Sequence, residues 1–114
     1  MTNKKYLIDK YGIKAHNKKV TVHFHRKLSL KGGLLIEIIF WKDLPISHYP
    51  LGIKYRLVLV NPITAEVILL YDNHWPKGPH IHGPEGERSY HFIDKDKVTR
   101  DFELEAKKLM RKYY

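Results

Sequence analysis

The chain contains no cysteine among its 114 residues. This absence excludes disulfide cross-links, cysteine-ligated zinc and cysteine nucleophiles. Long apolar runs are also lacking, because the longest, Gly33 to Trp41, is interrupted by Glu37 and is too short to span a bilayer. The first nine residues lack the apolar core of a secretion signal. We therefore expect a cytoplasmic protein that does not insert into a membrane.

Acidic residues are scarce relative to basic ones. There are 12 Asp and Glu against 21 Lys and Arg, which gives a formal net charge of +9. Such a domain attracts the phosphates of nucleic acid, although an acidic protein partner would satisfy the same charge. No Walker loop, dinucleotide-binding glycine motif or Gly-x-Ser-x-Gly motif is present, which argues against nucleotide hydrolysis and α/β-hydrolase chemistry.

Alternation of apolar and polar residues predicts an antiparallel meander of about five strands. The strands are expected at 19–27, 34–41, 54–60, 66–71 and 88–93. The first strand is expected to divide its side chains between two faces, with Val20, Val22 and Phe24 on one and Thr21, His23 and His25 on the other. The length suits a single domain, 1–114. Within it we predict an N-terminal arm or short helix at 1–17, the sheet at 18–93 and a helix at 94–114.

The last segment changes to a helical period. Apolar residues recur at three- and four-residue steps on one face, at Val98, Phe102, Ala106, Leu109 and Tyr113. Asp94 is placed to cap the first turn. The predicted fold class is therefore α+β, with one long C-terminal helix packed on one face of the sheet.

The segment from Tyr71 to His82 follows the fourth strand and carries most of the chemistry. Pro76, Gly78 and Pro79 argue against regular structure, so we predict a rigid loop. It concentrates side chains that transfer or orient protons, namely Asp72, Asn73, His74, His80 and His82. Loops held on a scaffold are where binding and catalysis concentrate, so we expect the functional site here.

These side chains suit cleavage of RNA without a cofactor. Histidine acts as a base or an acid near neutral pH, so we predict His74, His80 and His82 as proton-transfer groups, oriented by Asp72 and Asn73. Cations must hold the charge that builds on the phosphate, and aromatic rings can stack on unpaired bases. The predicted phosphate- and RNA-binding residues are Lys77, Arg26, Arg88, His25, Trp75 and Tyr90.

Other interpretations stay open at this stage. His80 and His82 would lie on the same side of an extended backbone, so with His74 and Asp72 they could hold a divalent metal ion. A solvated loop without catalytic function fits the same pattern, and Trp75 could cover the edge of the sheet instead of stacking on a base. His23 and His25 either face the loop or belong to an edge strand whose charges discourage aggregation.

From about residue 20 to the C-terminus, a series of short motifs occurs in a fixed order. They are His25-Arg26-Lys27, Ile36-Glu37-Ile38 with Trp41, Lys54-Tyr55-Arg56-Leu57, Tyr71-Asp72-Asn73-His74, Pro76-Lys77-Gly78 with His80-x-His82, Tyr90-x-Phe92 and Asp101-Phe102. In this order and spacing they resemble the TumE-like toxin family of bacterial and archaeal toxin–antitoxin modules. The block Asp-Asn-His-x-Pro-Lys-Gly-x-His-x-His is the most specific part of the resemblance.

The resemblance implies a small toxin paired with a cognate antitoxin protein encoded beside it. By analogy with other small toxins, it implies an action on RNA, through cleavage or through blocked translation. A non-enzymatic module that binds nucleic acid or the antitoxin is the alternative, and a metal-binding protein is the third. The chain departs from the family pattern at Trp75, Ile81 and Ala65, where relatives often carry a histidine, a basic residue and a turn glycine. A homodimer is compatible with the sequence.

Overall fold

The computed structural model describes residues 20–113. They form a six-stranded antiparallel sheet with the strands in chain order, followed by one long helix. The elements are β1 (Thr21–Ser29), β2 (Leu35–Lys42), β3 (Lys54–Asn61), β4 (Glu66–Asp72), β5 (His80–Gly83), β6 (Gly86–Ser89) and α1 (Lys95–Tyr113). The predicted α+β class is confirmed, with six strands instead of about five. The predicted N-terminal arm or short helix, 1–17, lies outside the described residues.

The additional strand lies inside the segment predicted as a loop. β5 begins at His80 and pairs with β4, which brings His80 opposite Asp72. Pro76 and Pro79 disfavour strand pairing only up to residue 79. The residues after them carry the backbone N–H groups that a β-ladder needs. β6 then begins two residues before the predicted fifth strand and pairs with β5. The prediction of a loop is therefore wrong from His80 onward.

The helix α1 begins as the sequence predicts. Asp94 Oδ1 accepts a hydrogen bond from the Lys97 backbone N–H at 2.8 Å, which caps the first turn. Asp96 lies in the first turn of α1, and Arg111 and Lys112 lie in the last. At these positions their charges interact favourably with the helix dipole. Among residues 20–113, no helix is long and apolar enough to cross a membrane.

The main hydrophobic core lies between α1 and one side of the sheet, which we call the helix face. The helix contributes Val98, Phe102 and Ala106, each at most 1% exposed, as their spacing predicts. The sheet contributes the inward-facing residues of its central strands, including Leu57, Leu59, Leu69 and Tyr71. Burial of these apolar side chains is what holds the helix on the sheet.

The opposite side of the sheet, which we call the loop face, carries a second core. Ile39 and Trp41 of β2 pack there with Val20, Leu44 and Tyr49. Leu44 and Tyr49 belong to the loop 43–53, which includes the short 3-10 turn Pro50–Gly52. β2 needs this cover because both of its sides are apolar. Beyond the loop, this face carries polar side chains, including Arg56, Asp72 and His80, beside apolar ones such as Val58 and Leu70.

The edge strand β1 contains a bulge. Val22 pairs with Trp41 of β2 whereas Phe24 pairs with Phe40, so His23 is an extra residue. Paired residues of an antiparallel ladder point to the same face, and consecutive residues such as Phe40 and Trp41 point to opposite faces. Val22 and Phe24 therefore lie on opposite sides of the sheet. The strict alternation predicted for this strand is wrong, although its exposure agrees with the edge-strand interpretation.

The predicted hairpin of β3 and β4 is present and sets the register of the site. Asn61 Oδ1 accepts a hydrogen bond from the Ile63 backbone N–H at 3.0 Å, which is typical of an Asx turn. Ala65 adopts a left-handed φ of 63°, a conformation that favours glycine. The hairpin closes so that Arg56 of β3 lies opposite Asp72 of β4.

We predict that Phe102→Ala lowers the free energy of unfolding by about 3–5 kcal/mol, because removing the buried ring leaves a cavity between α1 and the sheet. Leu104→Ala is the matched control, since Leu104 lies on the same helix but is 55% exposed. It should change the unfolding free energy by less than about 0.5 kcal/mol. Urea denaturation followed by circular dichroism measures both. Equal losses in the two variants would contradict the described packing of α1.

Candidate functional site

A row of ionisable side chains crosses the loop face. Strand pairing places Arg56 of β3 opposite Asp72 of β4, and Asp72 opposite His80 of β5. Paired side chains share a face, with Cβ atoms about 4.5–5.5 Å apart. Lys54 precedes Arg56 by two residues and therefore shares this face. Lys54 and Arg56 were not among the site residues predicted from the sequence, although two cations at this spacing on one strand signal a common face.

Asp72 lies at the centre of this row and is buried. Its Oδ1 accepts hydrogen bonds from Lys54 Nζ at 3.0 Å and from the His74 backbone N–H at 2.6 Å. Arg56 Nη1 lies 3.5 Å from its Oδ2. Burial raises the pKa of Asp72, but Lys54, the His74 N–H and Arg56 together outweigh burial and hold that pKa below its ordinary value. Asp72 is therefore an ionised carboxylate that contacts two cations.

Lys54 is the cation that most needs this carboxylate. Its surface is only 1% exposed, and its Nζ also lies 5.8 Å from the centre of the Trp41 ring. A buried ammonium is tolerated only with a close opposite charge. The Lys54–Asp72 pair therefore fastens β3 to β4 next to the segment 73–79.

Asn73 and His74 continue the chain from Asp72. The Asn73 amide accepts a hydrogen bond from the Tyr55 N–H and donates one to the Ile53 carbonyl, each at 2.9 Å. The Asn73 side chain therefore binds the main chain, whereas its predicted orienting role required contact with an imidazole. Burial lowers the pKa of His74, and the charge of Lys54 lowers it further. The His74 ring is accordingly neutral at pH 7.

The β5 strand brings two imidazoles together on the loop face. The ring centroids of His80 and His82 are 4.9 Å apart and the rings are nearly perpendicular, as the spacing of two residues predicts for extended backbone. His80 is buried, and its Nδ1 lies 2.7 Å from the Gly78 carbonyl oxygen. A carbonyl only accepts hydrogen bonds, so Nδ1 carries the proton and Nε2 of the neutral ring carries the lone pair.

Glu87 completes this group from β6. It lies directly opposite His82 in the ladder, with its Oε2 3.6 Å from His82 Nε2, and the Lys77 ammonium contacts the same oxygen. One ring nitrogen of His80, one of His82 and a Glu87 oxygen all lie within 4.8 Å of one another. We call these three residues the hairpin cluster. Glu87 was not among the site residues predicted from the sequence. The two glycines around Pro84-Glu85 signal a tight hairpin, and such a hairpin brings Glu87 opposite His82.

Three of the predicted phosphate- and RNA-binding residues lie on the helix face, away from the imidazoles. Arg26 donates to Glu103 at 2.9 Å, Arg88 donates to Glu105 at 2.6 Å, and the Tyr90 hydroxyl donates to Asp101 at 2.6 Å. The bulge in β1 turns Arg26 to this side, and pairing with Ile81 turns Arg88 to it. The expectation that they share one site with the histidines is therefore wrong.

His25 and Trp75 lie on or near the loop face but at different distances from the cluster. His25 pairs with Glu37 at 2.8 Å on the edge strand, four strands and therefore about 19 Å from His80. Trp75 packs against His48 of the loop 43–53, with ring centroids 4.0 Å apart. Its side chain is still half-exposed. Lys77 is thus the member of the predicted phosphate-binding set that directly adjoins the cluster.

Comparison with known proteins gives one family match. A protein-family model described as Toxin TumE matches residues 2–110. The match covers nearly the whole chain and extends further toward the N-terminus than the motifs that begin near residue 20. No curated protein and no solved structure matches the chain.

We predict that Asp72→Asn lowers the free energy of unfolding by about 3–5 kcal/mol, because it leaves the buried Lys54 ammonium without its counter-charge. Glu66→Gln is the matched control, since it removes an exposed carboxylate from the same strand. That variant should change stability by less than about 0.5 kcal/mol. Chemical denaturation at pH 7 measures both, and an unchanged midpoint for Asp72→Asn would contradict the described ion pair.

Because the pKa of Asp72 is lowered, we also predict that the free energy of unfolding decreases at acid pH. The pKa of Asp72 is lower in the folded than in the unfolded chain, so its contribution is complete above the unfolded value of about 3.9. It is lost as the pH falls through the lower folded pKa. Denaturation measured between about pH 6 and pH 2 should therefore show a smaller acid-induced loss in Asp72→Asn than in the wild type. Parallel curves would contradict the shifted pKa.

Proposed function

The chain belongs to the TumE toxin family, and from this premise we propose that it cleaves RNA with the two imidazoles of β5. Membership makes the chain the toxin of a toxin–antitoxin system, with an antitoxin as its partner. The proposal concerns the target and the chemistry: an RNA phosphodiester, broken without a metal ion, in the cytoplasm. The observation that carries it is the close placement of His80 and His82 beside Lys77.

Cleavage of RNA by its own 2′-hydroxyl needs a base on one side of the phosphate and an acid on the other. The base takes the 2′-hydroxyl proton, the 2′-oxygen bonds to phosphorus, and the 5′-oxygen leaves with a proton from the acid. His80 suits the role of base, because the Gly78 carbonyl holds its Nδ1–H and leaves the lone pair on Nε2. His82, whose side chain is 44% exposed, suits the role of acid.

The two rings are close enough to act on one phosphate. Ligand nitrogens of His80 and His82 lie within 4.8 Å of each other, and the half-exposed His82 ring can rotate away from His80 to place its nitrogen on the far side of the phosphate. His74 is close enough to His80 for the charge of His80 to contribute to its lowered pKa. It therefore supplies a further imidazole at the same end of the sheet.

Cations on the loop face support binding of the phosphate. Lys77 is half-exposed on a flexible stem and contacts Glu87 next to His82, so its ammonium can move to a phosphate oxygen and stabilise the charge that develops there. Arg56 adds positive charge in the adjacent row, because the single charge of Asp72 balances only one of its two cationic partners, Lys54 and Arg56. The net charge of +9 adds long-range attraction to RNA. The half-exposed indole of Trp75 offers a surface on which a base can stack.

A second candidate function is binding without cleavage, to RNA or to the antitoxin. It is favoured by Glu87, since a carboxylate beside His82 repels a phosphate that approaches the imidazoles. In this alternative the loop face only occupies a site on its target. Intact RNA, bound with an affinity that falls steeply with salt, would favour this candidate over cleavage.

We predict that His80→Ala and His82→Ala each reduce RNA cleavage at least about 100-fold, because each removes one proton-transfer group. Purified, metal-free protein is incubated with total RNA, with and without a chelator, and the chelator should not reduce cleavage. His23→Ala is the matched control, since it removes an exposed imidazole from the bulge of β1. It should cleave like the wild type. Equal cleavage, or equal growth arrest on expression, by all three variants would exclude the catalytic role.

A further inference from the structure

We infer that the hairpin cluster, His80, His82 and Glu87, is a three-ligand site for a divalent transition-metal ion such as zinc. The site lies on the loop face, at the end of the β5–β6 hairpin. It differs from the metal site considered from the sequence, which combined His74, His80, His82 and Asp72. Asp72 is occupied by Lys54 and Arg56, and Glu87 takes its place as the carboxylate.

The distances require only a small adjustment. The potential ligand atoms lie within 4.8 Å of one another, and His82 Nε2 and Glu87 Oε2 are 3.6 Å apart. Tetrahedral zinc with bonds of about 2.0–2.2 Å separates its ligand atoms by about 3.4 Å. The His82–Glu87 pair already has nearly this spacing, so side-chain rotation of His80 and His82 would bring the third atom into place.

The backbone preorganises all three ligands. His80 and His82 share a side because they are two residues apart on one strand, and Glu87 lies opposite His82 on the next strand. The Gly78 carbonyl accepts the His80 Nδ1–H at 2.7 Å. Metal-ligating histidines are usually held in this way, with the second nitrogen bonded to a carbonyl or carboxylate. Nε2 of His80 therefore has the lone pair that a metal ion requires.

The donor set indicates which metals fit. Two imidazoles and one carboxylate suit zinc, with a water molecule or substrate as the fourth ligand, as well as cobalt, nickel, manganese and iron in the divalent state. Calcium and magnesium prefer oxygen ligands and do not fit. The side chains of His82 and Glu87 are 44% and 37% exposed, so the fourth position faces solvent.

Lys77 is the built-in competitor for this site. Its ammonium contacts the Glu87 oxygen that would bind the metal. The hydrogen bond from Lys77 is also the main reason that the pKa of Glu87 is lowered. Because the side chain of Lys77 is 55% exposed, the ammonium can leave Glu87 without disturbing the fold. Removing it should therefore strengthen metal binding.

The inference does not depend on RNA cleavage, because binding is measured without RNA. The two properties use the same imidazole nitrogens, since a nitrogen that binds a metal ion cannot also transfer a proton. A metal-loaded protein is therefore expected to lack the metal-independent cleavage proposed above. Metal binding without cleavage would remove only the proposed function, and cleavage without metal binding would remove only this inference.

The test is titration of the full-length, untagged protein with cobalt(II), followed by visible absorption, and with zinc, followed by calorimetry. We expect about one ion per chain, because the three ligands form one cluster. His80→Ala, His82→Ala and Glu87→Gln should each weaken binding at least tenfold, and Lys77→Ala should strengthen it.

His23→Ala and Glu85→Gln are the matched controls, since both residues are exposed and lie outside the cluster. Both should bind the metal like the wild type. Circular dichroism of each variant checks that the fold is kept, and Glu87→Gln preserves the size of the side chain. Much less than one ion per chain, or equal binding by the cluster variants and the controls, would overturn the inference.

Discussion

The buried ion pair of Lys54 and Asp72 is the interaction on which the functional side of the sheet depends. An ammonium with 1% of its surface exposed requires a carboxylate at contact distance, since an unpaired buried charge costs several kcal/mol. The pair joins β3 to β4, and the same carboxylate receives the His74 N–H where the chain leaves the sheet. Asp72 also lies between Arg56 and His80 in the row across the strands. One carboxylate thus links stability, the start of the segment 73–79 and the position of the imidazoles.

The sheet separates the cations of the chain into two groups with different surroundings. On the helix face, Arg26 and Arg88 pair with Glu103 and Glu105 of α1, so their charges help to hold the helix in place. On the loop face, the hairpin cluster lies beside Lys77, which is half-exposed. A polyanion that approaches the histidines therefore meets the loop face. This division explains how the sheet of a small toxin can serve its own packing and a separate target.

The two imidazoles of β5 have more than one chemical use in the same arrangement. The proposed cleavage requires a lone pair on His80 and a proton on a ring nitrogen of His82, whereas the proposed metal site requires both nitrogens as ligands, so the two uses exclude each other at any moment. Glu87 favours the metal, because its carboxylate adds a third ligand and repels a phosphate. Lys77 opposes this preference, since its ammonium balances the charge of Glu87 in the absence of a metal ion. In the proposed metal site, Lys77 and the metal ion compete for one oxygen of Glu87.

The sequence by itself determined the fold class, the helix with its cap at Asp94, the position of most strands and the segment that carries the histidines. These features follow from local periodicity and local hydrogen bonding, which a single segment encodes. Only the tertiary structure decided which side chains share a face. The bulge at His23 moves Arg26 to the helix face, and the hairpin of β5 and β6 brings Glu87 opposite His82. Both results depend on the register between strands, and a shift of one residue reverses every side chain, so no pattern within one strand could reveal them.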